Sequence, residues 1–314
     1  MAPILEVQNL VKKYGDFTAV NGISFSIEAG EVFSLLGPNG AGKTTTISVL
    51  SCLLQPTGGD ALIGGHSVTH APMAVKNIIG VVPQEIALYE DLTARENLVF
   101  WGRMYGMGGG DLKRRVDQVL EQIGLAAKAN QKIKTYSGGM KRRVNIGVGL
   151  LHNPRILYMD EPTVGIDPQS RRNILDSVKE LNRLGMTVLY TTHYMEEAEE
   201  LSHRVGIIDH GELIALGTQK ELTQTVGEHE TLRLHLADDR DPGLLSEALR
   251  AIPGVIQVSV ADHEVVLIVP EAEEALPPVF SQAERLNYKV RSVDIEEPNL
   301  EAVFLSLTGR ALRD

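Results

Sequence analysis

Gly37-Pro38-Asn39-Gly40-Ala41-Gly42-Lys43-Thr44-Thr45 follows a short apolar run, Val32 to Leu36, and opens into a helix-like segment that ends near Leu54. The spacing G-x-x-x-x-G-K-[ST] means most in that setting, with a strand before it and a helix after it. Its glycines let the backbone pass close around a pyrophosphate, and successive N–H groups point into the cavity they enclose. The following helix adds the positive end of its dipole, and Lys43 brings a full charge to the β- and γ-phosphates. Thr44 is placed to offer its hydroxyl to Mg2+. A Gly-rich turn from strand to helix could carry a lysine for no such reason. With every fixed position matched and both flanks in place, the stretch reads as a nucleoside triphosphate site.

Around this loop the chain has 314 residues, 43% hydrophobic and 23% charged, an ordinary globular composition. The length suits one large domain with a small one, or two of moderate size. A net charge of −11 argues against a nucleic-acid surface as the main partner. Cys52 is the only cysteine, so no intrachain disulfide can form and a reducing compartment is the natural setting. Placed on the helix after the loop, it is expected as a buried small hydrophobe. The most apolar stretches, 144–151 and 186–190, fall short of the roughly 20 residues that cross a bilayer. The N-terminus lacks the basic start and apolar core of a signal peptide. A soluble or peripheral protein is expected.

Upstream of the loop, 4–11 reads as a strand, and Ile23, Phe25 and Ile27 alternate as a second. Tyr14 lies between them beside Gly15 and Asp16, where its ring could stack on a purine or pack on a neighbour. Gly58-Gly59 and Gly64-Gly65 bracket a strand over 61–63, and 78–82 is an apolar run stopped by Pro83, with Gln84 just beyond. From 88 to about 152 the spacing turns helical. Thr93 can cap a helix over 95–104, and the glycines from 106 to 110 break it. Leu112, Val116, Val119, Leu120 and Ile123 then recur at helical spacing, with Lys113-Arg114-Arg115 expected on the wet face. Another helix follows Tyr136-Ser137-Gly138-Gly139-Met140.

Strand character returns over 155–159, and a helix over 170–184 leads to a β-rich run at 187–192 that ends at His193. A short acidic helix over 195–201 and a hairpin turning at Asp209-His210-Gly211 follow, and Thr218 with Glu221 forms a capping box for one more helix. Strands alternating with helices in this way imply a parallel α/β core. Near Gly227 the pattern changes to β-α-β-β-α-β, the ferredoxin-like order, with a turn at Asp262-His263 and a closing helix over 300–307. The expected domains are 1–226 and 227–314. The second carries no chemical motif, so regulation or self-association is its default role.

Two further motifs decide what the triphosphate site belongs to. Ile156-Leu157-Tyr158-Met159-Asp160-Glu161 is a hydrophobic strand ending in two carboxylates. In a protein with a phosphate loop, a carboxylate at that tip holds Mg2+, the role of Asp160, and Glu161 is placed to orient or deprotonate water. Acidic residues also end strands for no catalytic reason, and only the phosphate loop gives this pair its weight. Ser137-Gly138-Gly139-Met140 offers free N–H groups, a helix dipole and a hydroxyl, an anion site by the same physics, although alone it is an ordinary N-cap. The histidines show no metal-ligand spacing such as H-E-x-x-H.

Lying between the phosphate loop and the Asp-Glu strand, Ser137, Gly138, Gly139 and Met140 resemble the signature sequence of the ATP-binding cassette (ABC) family. The resemblance covers roughly 4–226, with seven motifs in order. It implies a P-loop NTPase parallel-sheet core with an antiparallel β subdomain and a helical subdomain, followed here by the small α+β domain. Tyr14 matches the adenine-stacking aromatic, and Gln84 the glutamine that senses Mg2+ and the attacking water. Val164-Gly165-Ile166-Asp167 resembles the loop that crosses between partners, and His193 the histidine at the γ-phosphate. Two departures stand out: Tyr136 and Met140 replace the commoner Leu and Gln of the signature, and 164–167 replaces Ser-Ala-Leu-Asp, with Asp167 kept.

The resemblance implies an ATPase that closes as a head-to-tail dimer with a second copy of itself on two ATP–Mg2+. Lys43 and Thr44 would come from one chain and Ser137 and Gly139 from the other. It also implies a separate integral-membrane permease, which the chain would contact around 84–107 from the cytoplasmic face. The segments Val82-Pro83-Gln84-Glu85, Asp91-Leu92-Thr93-Ala94-Arg95-Glu96-Asn97-Leu98 and Pro298-Asn299-Leu300-Glu301-Ala302-Val303-Phe304 resemble the drug, lipid or polysaccharide exporter branch. A rival reading is a soluble cassette ATPase acting on nucleic acid or ribosomes. Such proteins usually carry two cassettes or a long coiled coil, and the acidity here weighs against it. A P-loop kinase or GTPase is disfavoured, because the chain has no Asn-Lys-x-Asp guanine motif and the signature would be left unexplained.

Overall fold

In a computed structural model of the chain, which describes residues 3–226, 230–237, 240–261, 264–296 and 299–309, the first elements are the strands Leu5–Tyr14 (β1) and Phe17–Ile27 (β2). They pair antiparallel, and β1 also pairs with Gly58–Ile63 (β4), which is followed by the short His66–Ser67 (β5). The sheet order is β2-β1-β4-β5. Tyr14 is therefore a strand-end residue, and its partner across the ladder is Phe17.

The second sheet has six strands in the order β10-β9-β3-β8-β7-β6. They are Val32–Leu36 (β3), Ile79–Val82 (β6), Ile156–Asp160 (β7), Thr187–Thr192 (β8), Arg204–Asp209 (β9) and Glu212–Gly217 (β10). β3 pairs parallel with both β8 and β9, and β7 with β6 and β8. Every residue of β3, β7 and β8 is buried, which is why they read as apolar runs rather than alternations. The ends of β3, β7 and β8 carry the phosphate loop, the Asp-Glu pair and His193, so the parallel order brings the motifs to one edge.

Lys43–Leu50 (α1) and Pro72–Lys76 (α2) precede Ala94–Met104 (α3), Gly109–Gln122 (α4) and Gly138–Leu150 (α5). Thr93 caps α3 in a full capping box with Glu96. The apolar face of α4, with Leu112, Val116, Val119 and Leu120, joins Leu98, Val144 and Ile146 in one core cluster. Arg115 departs from the expected wet face: it is partly buried and donates to the carbonyls of Leu150 and Leu151, closing the C-terminus of α5. Pro168–Arg183 (α6) and Met195–Leu201 (α7) complete the crossovers.

Contacts divide the chain into two compact units, Met1–Leu213 and Ile214–Asp314, with the division inside β10. The boundary expected at 226/227 and the turn at Asp262-His263 lie outside the described residues, as does Pro298. In the second unit Gln219–Val226 (α8) has the expected Thr218–Glu221 box. Glu230–Leu236 (β11), Gly243–Arg250 (α9), Gln257–Ala261 (β12), Glu264–Val269 (β13), Ala272–Arg285 (α10) and Val290–Glu296 (β14) follow. The antiparallel order β12-β13-β11-β14 is that of the ferredoxin-like fold. One face buries Leu232, Leu234, Val265 and Leu267 against α9 and α10. Across the sheet, Val266 and Ile268 pack on the last helix, Leu300–Thr308 (α11), which Asn299 caps.

Candidate nucleotide site

The phosphate loop is shaped by positions that exclude a side chain. A Cβ on Gly37 would lie 2.1 Å from the carbonyl oxygen of Ile208, and Gly42, at φ 108°, would meet that of Ala19 at 2.5 Å. Gly40 also has a left-handed φ of 82°. Pro38 accepts the N–H of Ala41, which tightens the turn. The helix α1 starts at Lys43, so its first N–H groups face the loop. Asn39, Gly40, Gly42, Lys43, Thr44 and Thr45 line a cavity of about 320 Å³ together with Tyr14, Phe17, Ala19, Gln84 and Glu161.

Lys43 is buried and uses all three of its donors. Nζ donates to the carbonyl oxygens of Gly37, 2.6 Å, and Pro38, 2.9 Å, and lies 2.9 Å from Glu161 Oε1. The other oxygen of Glu161 is 3.0 Å from His193 Nδ1. Glu161 follows directly on β7 with a left-handed φ of 42°, a conformation costly for glutamate. Its N–H is tied to both the hydroxyl and the carbonyl of Thr191. This turn aims the carboxylate back at Lys43. Burial pushes the Glu161 carboxyl upward, but the hydrogen bond from His193 and the charge and hydrogen bond of Lys43 outweigh it and hold the pKa at about 2.

Asp160 behaves oppositely. Burial raises its pKa, and the neighbouring Glu161 charge adds to the rise, while Thr191, Thr44 and Lys43 resist it. Its Oδ1 accepts from Thr191, 2.7 Å, and from Thr44, 3.1 Å. Thr44, which lines the cavity, and Asp160, hydrogen-bonded to it, thus form a set of hard oxygen donors, the donor chemistry that Mg2+ selects.

Ser137 caps α5, accepting the Met140 N–H at 3.3 Å. Gly138 and Gly139 open the helix, and a Cβ on Gly139 would lie 2.3 Å from Cβ and Oγ of Ser170. Asp167 caps α6 by accepting the Ser170 N–H at 2.9 Å, so the two helix starts meet at this contact. The structure therefore gathers the expected residues into two groups. Tyr14, the phosphate loop, Gln84, Asp160, Glu161 and His193 share one neighbourhood. Ser137, Gly138, Gly139, Met140 and Asp167 share another, and none of these five lines the cavity.

Sequence reading missed four contributors. Phe17 is exposed beside Tyr14 and widens the aromatic wall. Thr191 holds Asp160 and Glu161 together. Arg142 and Asn145, both buried on α5, bond the backbone around Gln84. Thr191 lies two residues before His193 in sequence, a usable signal, whereas Arg142 and Asn145 read as ordinary helix residues.

The family model described as ABC transporter matches residues 20–164, and one described as ATP-binding protein DrrA1-3-like, C-terminal domain, matches 217–308. The chain is 49% identical to the linearmycin resistance ATP-binding protein LnrL of Bacillus subtilis (strain 168), over 99% of this chain and 100% of the relative. It is 39% identical to the daunorubicin/doxorubicin resistance ATP-binding protein DrrA of Streptomyces peucetius, over 99% and 94%. To the Nod factor export ATP-binding protein I of Burkholderia lata it is 38% identical, over 100% and 99%. Among solved structures, it resembles the dimeric post-hydrolysis state of the ATP-binding cassette MJ0796 bound to ADP and Pi. The TM-score is 0.61 at 29% identity, over 68% of this chain and 98% of that one.

Proposed function

This chain belongs to the ATP-binding cassette family of ABC transporters, and from that premise we propose that it is the ATP-hydrolysing subunit of an exporter of bulky or hydrophobic solutes. The names of its relatives, resistance to linearmycin and to daunorubicin and export of Nod factor, support that solute class. The observation that carries the chemistry is the buried row Lys43–Glu161–His193 beside the Asp160–Thr44 oxygens.

Tyr14, with Phe17 beside it, offers the adenine a ring face, and the loop N–H groups and Lys43 take the phosphates. Thr44, Asp160 and Gln84 would hold Mg2+, which neutralises charge on the phosphates when bound. Glu161, oriented by His193, accepts the proton of the attacking water, and Gln84 positions that water. Because the signature residues lie outside the cavity, we infer that Ser137, Gly138 and Gly139 complete the site of a second copy in a head-to-tail dimer. Asp167 crosses at the same interface.

Among the described residues, no helix is long and apolar enough to cross a membrane. Attachment to the cytoplasmic face would come through a separate permease. The stretch 84–107 exposes Ile86, Tyr89, Met104 and Tyr105, apolar side chains suited to such a contact. The role of 227–314 in regulation or dimerisation is part of the same proposal. Action on nucleic acid or ribosomes fits neither the relatives nor the net charge of −11.

Sedimentation of Glu161→Gln tests the reading. With ATP it should form a stable dimer with little turnover, and a monomer at high ATP would sink the dimer model. Co-purification with an integral membrane protein tests the permease, and stimulation of the ATPase by nucleic acid would favour the rival.

A further inference from the structure

Helix α5 carries more than the turn at its start. Arg142 is 3% exposed, and its two terminal nitrogens donate to the carbonyl oxygens of Pro83, 2.7 Å, and Gln84, 2.5 Å. Three residues further on, Asn145 is 2% exposed. Its amide donates to Pro83 at 3.4 Å and Glu85 at 3.5 Å, and its oxygen accepts the Ala87 N–H at 3.4 Å. The segment 83–87 follows the end of β6 and precedes α3, and it lies in neither helix nor strand. Its backbone is fastened instead to two side chains of one helix.

A buried guanidinium is an expensive way to hold two carbonyls. Burial draws its pKa below the usual arginine range, only partly offset by Tyr190 and Asp160. The planar fork gives in return two charge-assisted bonds of fixed geometry, which a lysine cannot reproduce. The same helix begins at Ser137, where Gly139 is packed against Ser170.

We propose that Arg142, supported by Asn145, is a positioning residue that locks the Gln84 segment to the signature helix. Nucleotide held by the signature on one side of the dimer thereby sets the placement of Gln84 in the chain's own cavity. The inference rests on the nucleotide-site reading above.

The test uses the full chain, comparing wild type with Arg142→Lys and Asn145→Ala. Backbone hydrogen exchange over 84–88 is followed with and without ATP, beside ATP affinity, turnover and melting temperature. The expected result is faster exchange over 84–88 that ATP no longer slows, with turnover down about tenfold at unchanged ATP affinity. Arg142→Lys keeps the charge and the stem, so it carries the test if Asn145→Ala fails to fold. Wild-type exchange over 84–88, or a turnover loss matched by an equal loss of folded protein, overturns the proposal. A Lys43→Ala chain that still binds ATP would instead overturn the nucleotide site itself.

Discussion

Lys43 and Glu161 form a buried ion pair, Nζ to Oε1 2.9 Å, with side-chain exposures of 3% and 6%. With its other two donors on Gly37 and Pro38, Lys43 must exchange a partner to reach phosphate. The same exchange takes a cation away from Glu161 and makes its carboxylate a stronger base. In the proposed site, nucleotide binding and activation of Glu161 as the base would thereby be linked through one ammonium group.

The pair has a signature in stability against pH. Held at about 2 rather than the ordinary 4.5, Glu161 contributes stability that is complete above 4.5 and lost as pH falls towards 2. The shift corresponds to about 3 kcal/mol at neutral pH. Glu161→Gln should therefore melt well below wild type near neutrality, with the gap closing as the pH is lowered through that window. Melting curves across the acid range measure it, and a gap independent of pH would contradict the ion-pair assignment.

Gly139→Ala places a methyl 2.3 Å from Cβ and Oγ of Ser170. Overpacking at this contact should cost roughly 1–3 kcal/mol. Ser170→Gly removes both opposing atoms, so the double variant should recover most of the loss. A double-mutant cycle by denaturant unfolding reads the coupling directly.

Asp167 has a structural task that is separable from any role across a dimer. It caps α6 through the Ser170 N–H, ahead of Pro168 at the first helical position. Asp167→Ala should lower the melting temperature, while Asp167→Asn and Asp167→Ser should keep it. A drop in ATP-dependent dimerisation with the cap-competent variants would then report the interface alone.

Much of this was legible because it is local or periodic. The apolar runs of β3, β7 and β8 and the motifs at their ends place the site once the strands are parallel neighbours. What escaped was set by partners distant in sequence. Arg115 read as part of a basic wet face, and only packing turns it onto the end of α5. Cys52 was expected on a helix, but α1 ends at Leu50 and Cys52 takes φ 56° on the turn beyond it, partly exposed. There Leu53 N–H reaches the Ser48 carbonyl and Cys52 N–H that of Val49. This is a Schellman-type ending in which the left-handed position carries cysteine instead of the glycine that would have marked it. Arg142 and Asn145 gave no sign because their partners are backbone carbonyls some sixty residues away, which no periodicity records.

The pairing proposed for the dimer has Lys43 and Ser137 serving one nucleotide from two different chains. Its most direct measurement is ATP turnover in a mixture of Lys43→Ala and Ser137→Arg chains, each inactive alone. One of the two sites in a mixed dimer then holds an intact Lys43 from one chain and an intact Ser137 from the other. The expected result is turnover that appears on mixing and rises with the share of mixed dimer. Mixed dimers that form and stay inactive would contradict it.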